Sequence, residues 1–399
     1  MKRHFPFTPA LVLLFLSPMI AEMLTCSTPP VMFFNPFSLI LQCLLYGGGA
    51  IIIRELTLKW GKGWPTILTL GAAYGIIEEG IMCKSFFDPK WPDVLTSTGL
   101  YGRWLDVNWV WTLNLIIYHS LISIASSIFL VMMLFPEQSE TPWVTPRNFK
   151  TLTYLFATNM LFCFFFLNPP GRAFVYRPSI VHLLITVLCI LALYKKAETL
   201  PKAFSSTYSG ISKCPHPFWL GAVGFLSAVM LYAVTGILKS IQMPFIFALA
   251  IISLITALIC RSVWNWAHTD RSWSRFHQTA IGVISISIVS LVIVLLTAAA
   301  IGKLKLNGLL VLPVGILIFA IDRKLWRLSR IVSSWSDLHS LALVIGALVL
   351  YAIFSLLFGL RVIPIAKNTT GCIADSFVFL IFFAGIYVKT RRRLSFTTI

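Results

Sequence analysis

Two adjacent glutamates, Glu78 and Glu79, interrupt the apolar stretch YGIIEEGIMCKSFF at 74–87. An acidic side chain at the centre of a membrane helix costs about 2.5–3.5 kcal/mol on insertion scales. Two in a row need a compensating partner, a watery cavity or a place near the headgroups. Gly71, Gly75 and Glu79 recur at spacing four and share one helix face, where small residues let a neighbouring helix come close. That aims Glu79 into a bundle, with Glu78 about 100° around the helix, in line with Tyr74. Further on, His119 is the titratable member of a polar stripe formed by Thr112, His119, Ser123 and Ser126 or Ser127. His182 follows in a later apolar run, with Thr186 one turn beyond it; Glu22 and Asp375 are the other acidic groups within apolar stretches. Glutamate and histidine held together can orient and deprotonate a water or bind a divalent metal, and the residues leave open whether a cofactor is used. Quieter roles compete. The glutamates would sit among headgroups or pair with Lys84, His119 would hydrogen-bond across helices, and His182 would lie at the interface beside Arg177.

The elements that must position these groups are membrane helices. The 399 residues are 58% hydrophobic and 12% charged, with a mean hydropathy of +0.85, against about 25% charged in soluble domains. Lipid offers no hydrogen-bond partner, so the backbone must satisfy itself within helices. The fold class is therefore all-α, a polytopic transmembrane helix bundle. Apolar runs of spanning length fall at 8–25, 36–53, 64–83, 109–134, 151–168, 178–194, 217–237, 243–260, 278–300, 304–321, 340–359 and 373–388, giving about 12 spanning helices. Tryptophans such as Trp60, Trp64, Trp109, Trp111 and Trp143 cluster near the run ends, as an interfacial belt would. With the N-terminus inside, 22 of the 32 Lys and Arg residues fall in inner segments, which supports an N-in, C-in protein of the cytoplasmic (plasma) membrane. The candidate groups then lie in the outer half of the bilayer.

The same distribution accounts for the net charge of +18. Basic residues sit where positive-inside topology puts them, without an aromatic-interleaved basic patch, which excludes nucleic acid as a partner. The lipid bilayer is the partner that the composition implies, and nothing in the pattern sets an oligomeric state. A polar cytoplasmic linker at 195–216 separates a six-helix half at 1–194, which carries the candidate site, from a six-helix half at 217–399 without an obvious one. No repeat relates the halves. The eight cysteines form no CxxC; Cys43, Cys163, Cys189 and Cys260 read as packing residues, while Cys26, Cys83 and Cys372 would lie near the outer surface, where a disulfide among them is open. The basic, apolar N-terminus mimics a signal peptide, but no small-x-small site follows, so it reads as an uncleaved first helix.

The outer segment 84–108 balances Asp88, Asp93 and Asp106 against Lys84, Lys90 and Arg103, a composition that suggests a folded cap over a substrate. Depth raises a difficulty. At the helical rise, His119 would lie roughly 12–15 Å below the interface and Glu79 only about 6 Å. Contact between them needs tilt or a broken helix, for which Gly80 is the candidate break.

A pair of glutamates in one membrane helix, a histidine in the next and another in a later one resembles the CAAX-protease and bacteriocin-processing (CPBP) family of intramembrane proteases over about residues 78–186. That family carries EExxxR, where this chain has Cys83 in place of arginine and Lys84 one later; FxxxH, where Leu115 precedes His119; and a histidine followed four residues on by a polar residue, here His182 and Thr186. The resemblance implies that Glu78 or Glu79 is the general base, with His119 and His182 as supporting or ligand residues, acting on a membrane-embedded peptide. Two other readings stand beside it. One is a twelve-helix secondary transporter of a small molecule, with Gly47-Gly48-Gly49 as a break in the second helix. The other is a membrane glycosyltransferase-like enzyme using the loop carboxylates Asp88 and Asp93.

Overall fold

The computed structural model describes residues 7–169, 172–200, 214–268, 332–333, 336–362 and 368–396. Helices start where a short polar side chain precedes an apolar run. Thr8, Asn35, Asn108, Thr145 and Ser179 each accept a hydrogen bond from a first-turn backbone N–H, and Pro9, Pro36 and Pro146 follow three of them directly. The cap satisfies an orphan donor, and proline has no N–H to leave bare. The long helices are α1 (Pro9–Met23), α2 (Pro36–Lys59), α3 (64–82), α4 (Trp109–Leu134), α5 (Pro146–Phe166), α6 (Ile180–Thr199), α7 (Pro217–Ser240), α8 (Phe245–His268), α9 (Asp337–Gly359) and α10 (Cys372–Phe396).

Seven of the described helices, α2, α4, α5, α6, α7, α9 and α10, are long and apolar enough to cross a membrane. The expected spans at 278–300 and 304–321 lie outside the described residues, as does most of the expected linker. Each of the other expected spans coincides with a helix. α10 outruns its apolar stretch through Arg391, Arg392 and Arg393, because cations are favourable at a helix C-terminus; Arg393 also pairs with Asp337 at the start of α9 (2.6 Å). Among the described residues strands are confined to two short pairs, Arg103–Trp104 with Val107–Asn108 and Cys214–Pro215 with Val332–Ser333.

Four helices change register midway. π-helical segments occupy Met19–Met23 in α1, Cys43–Gly47 in α2, Ile77–Met82 in α3 and His119–Ser126 in α4. Their hydrogen bonds run five residues back, as from Leu24 N–H to the Met19 carbonyl and from Cys83 N–H to that of Glu78 (both 2.8 Å). Such bulges are rare and concentrate at functional sites. The fully buried Ser17 hydroxyl of α1 lies within hydrogen-bond distance of two carbonyls in these segments, those of Tyr46 (3.3 Å) and Ser123 (3.1 Å), the latter also accepting from Ser127 Oγ (2.7 Å).

Glycines bring these four helices together. A Cβ on Gly47 would lie 2.6 Å from Leu14 Cα, so α1 and α2 touch backbone to backbone. Between α3 and α4, Gly71 faces Ser120 Cα (2.9 Å) and Gly75 faces His119 Cβ (3.0 Å) from the position a Cβ would take. This is the face on which the sequence spacing placed Glu79.

The chain divides into two compact units: Met1–Ser206 with Leu231–Ile255 and Ala366–Phe377, and Thr207–Met230 with Thr256–Ile365 and Val378–Ile399. The first thus takes in segments from beyond the N-terminal half. Within it, a disulfide joins Cys26, just past α1, to Cys372 at the start of α10, while Cys83 stays a free thiol. Maleimide is expected to label neither Cys26 nor Cys372 until the protein is reduced. The variant Cys26→Ser is expected to unfold at a lower temperature, since a disulfide that closes a long loop contributes roughly 2–4 kcal/mol. A melting curve identical to that of the parent would deny the bond any structural share.

Candidate functional site

The four π segments deliver the parts of one cluster. Glu22 comes from the bulge in α1, Tyr46 from that in α2, Glu78 and Glu79 from that in α3, and His119 with Ser123 from that in α4. His119 lies between the two glutamates, its Nε2 3.1 Å from Glu79 Oε1 and its Nδ1 3.2 Å from Glu78 Oε2. Ser123 Oγ is also 3.2 Å from Nδ1. Tyr46 places its hydroxyl between Glu78 Oε1 and Glu22 Oε1, and Thr28 donates to Glu22 Oε2 (2.6 Å). On the far side, Ser85 donates to Glu79 Oε2 and accepts from Trp111 Nε1 (2.9 Å). The result is a continuous line: Thr28, Glu22, Tyr46, Glu78, His119, Glu79, Ser85, Trp111.

The site is buried and acidic. Glu78 and His119 are each 2% exposed and Glu79 8%. Among the described residues the only basic group within ion-pair distance of either glutamate is His119. A phenol carries one hydrogen, so Tyr46 can donate to one carboxylate and accept from the other only if that carboxyl holds a proton. The cluster is therefore built to share protons. Carboxylate and imidazole within hydrogen-bond distance form an acid–base pair able to take a proton from a water and pass it on. The same atoms could hold a divalent cation: Glu78, Glu79 and His119 each offer one ligand atom, all within 4.8 Å of one another.

The Glu79–His119 contact does form, between the π segments of α3 and α4, and Gly80 lies within the first of them. Lys84, by contrast, turns away from the glutamates. Its ammonium lies 3.1–3.3 Å from the carbonyls of Phe164 and Cys163 at the end of α5, where Arg177 also binds Phe164 (2.7 Å) and Phe165 (3.2 Å). The last carbonyls of a helix are orphan acceptors at its negative pole, and they outcompete the glutamates for this lysine.

Segment 84–108 packs on a small core that its Phe86, Phe87, Val94 and Val107 form with Ile76 of α3 and Trp111 of α4. Asp88 is committed to that fold through Arg172 and the Lys90 N–H (3.0 Å). His182 belongs to the same layer and stands apart from the cluster: its Nε2 is 3.0 Å from the Leu105 carbonyl, its Nδ1 2.8 Å from Ser179 Oγ, and its ring stacks on Phe87 at 5.0 Å. One turn further, Thr186 Cγ2 sits 3.0 Å from where a Cβ on Gly80 would be, which packs α6 against the glutamate bulge. Asp375 is buried near the start of α10, with neither carboxylate oxygen hydrogen-bonded, and takes no part in the cluster. Tyr46 and Ser85 have no distinguishing sequence signal beyond their places, beside the triple glycine and six residues past Glu79.

Helices of membrane-spanning length around a buried acidic cluster define a multi-pass integral membrane protein. Residues 11–326 match a family described as "Uncharacterized membrane protein family", and the chain belongs to it. No curated protein and no solved structure matches. The family matched is not that of the CPBP proteases, whose likeness rests on the residues quoted above.

Proposed function

We propose that this protein is a membrane-embedded Glu–His hydrolase that cleaves a peptide bond in or at the edge of the bilayer. The observation that carries the reading is the single imidazole held within 3.2 Å of two buried carboxylates. In this mechanism Glu79 takes a proton from a water, the resulting hydroxide attacks the peptide carbonyl, and His119 gives a proton to the departing amine. Glu78 and Tyr46 hold the imidazole and store the proton between steps. His182 positions the cap. The order of residues follows the CPBP pattern, although the arginine of its first motif is replaced by Cys83. Twelve spans with both ends in the cytoplasm go with this reading and place the cluster toward the outer face of the plasma membrane. The Cys26–Cys372 bond, just beyond Glu22, suits that oxidising side.

The test compares membranes from cells producing the parent protein with those producing Glu79→Gln, sequencing protein N-termini by mass spectrometry. New N-termini of membrane proteins should appear with the parent alone. Identical sets from both would overturn the assignment.

The unbroken line of acid, phenol and imidazole favours one other reading, a proton-coupled transporter, since such chains serve as proton relays in membranes. Solute uptake into proteoliposomes driven by a pH gradient, without any new N-termini, would select it. The glycosyltransferase alternative loses Asp88 to its pairing with Arg172.

A further inference from the structure

We infer that Glu78, Glu79 and His119 form a binding site for one divalent transition-metal ion of the zinc class. The inference deepens the hydrolase reading by naming what would activate the water; metal binding itself does not depend on that reading. Three independent features of the site lead to it.

Charge comes first. Two buried carboxylates face one imidazole, so with both ionised and the proton at Tyr46 held on Glu22, even a protonated His119 leaves one negative charge uncompensated. Two like charges about 4 Å apart repel by roughly 4 kcal/mol at an effective dielectric of 20. A divalent cation with two carboxylates and a neutral imidazole sums to zero.

Second is an orphan atom. Glu78 Oε2 is buried and makes no hydrogen bond, although its carboxylate partner oxygen is bound by Tyr46. A buried carboxylate oxygen without a hydrogen bond costs about 1–3 kcal/mol, more when charged, and the contact that this one has is within the cluster, the ion pair with His119 Nδ1 at 3.2 Å.

Third is the support around the three groups. Tyr46 holds the other oxygen of Glu78, Ser85 that of Glu79, and Ser123 lies at His119 Nδ1. Metal ligands characteristically have such outer hydrogen bonds, which fix their orientation. Ligand atoms around a tetrahedral zinc-sized ion stand about 3.3–3.6 Å from one another, given bond lengths near 2.0–2.2 Å. The observed limit of 4.8 Å needs a contraction that side-chain rotation can supply. Three protein ligands leave a coordination position for water.

The purified full-length protein in detergent is stripped with chelator, loaded with Zn²⁺ or Co²⁺ and passed through a desalting column. The parent should retain a single equivalent by elemental analysis and show the visible absorption of cobalt in a protein site. Glu78→Gln and Glu79→Gln, which preserve shape, should each weaken retention by roughly 100-fold or more, with elution volume and melting temperature reporting that they still fold. Parent protein retaining no more metal than the variants would overturn the inference. The N-terminal sequencing comparison reads the hydrolase assignment separately, because a Glu–His pair without metal would still generate new N-termini.

Discussion

His119→Gln is expected to abolish peptide cleavage while leaving the bundle folded. Glutamine is close to histidine in length and can still donate to one of the flanking carboxylates. It cannot accept and return a proton near neutral pH. Loss of a general acid–base group typically costs about 10²–10⁴-fold in rate, and the full range applies here because no other basic side chain reaches Glu78 or Glu79 among the described residues. His119→Ala goes further. It removes the group that separates the two carboxylates, so one must take up a proton or both must repel, and the melting temperature should fall as well. Comparing the two variants separates chemistry from packing. Cleavage by His119→Gln at the parental rate would show that the imidazole carries no proton, and the hydrolase assignment would fail.

The second large effect concerns two adjacent glycines. Gly47→Ala is expected to destabilise the protein by about 3 kcal/mol or more, at the upper end for overpacked sites, because the added methyl would meet the Leu14 backbone, with its Cα at 2.6 Å and its carbonyl carbon at 2.7 Å. Backbone cannot rotate aside as a side chain can. α1 and α2 must separate, which pulls Glu22 away from Tyr46, so catalysis should fall with stability. Gly48→Ala is the control. Its methyl would meet Leu152 Cδ1 at 3.5 Å, ordinary contact, and alanine gains up to about 1 kcal/mol of helix propensity over glycine. Thermal unfolding in detergent should move in opposite directions for the two variants. Equal shifts would mean that the α1–α2 crossing is looser than described.

Much of this was legible in the residues. Hydropathy marks the helices because lipid leaves no alternative for the backbone. Glu78, Glu79 and His119 stand out because their residue types are costly where they lie. The glycine spacing aimed Glu79 into the bundle, where it is buried against His119 of α4. What the sequence could not display is the π register. Inserting one residue into a turn changes which side chains converge without changing composition, and its only trace was the mismatch in depth between Glu79 and His119. Tyr46 was hidden for a related reason: a tyrosine in an apolar run reads as packing until a carboxylate is found on either side of its hydroxyl. Lys84, one residue from where the CPBP pattern has arginine, looked like a counter-ion for the glutamates. The carbonyls it prefers belong to a helix about eighty residues away, and sequence proximity gives no view of them.

The Cys26–Cys372 bond also bears on how the molecule is made. The two cysteines are 346 residues apart, so a ribosome must deliver the start of α10 before the link can close. Until then Cys26 travels as a thiol on a nascent chain whose first helix, with Glu22, lacks its covalent tether. The covalent lock just past Glu22 is thereby a late step of biogenesis, and a chain stalled before Cys372 would lack it.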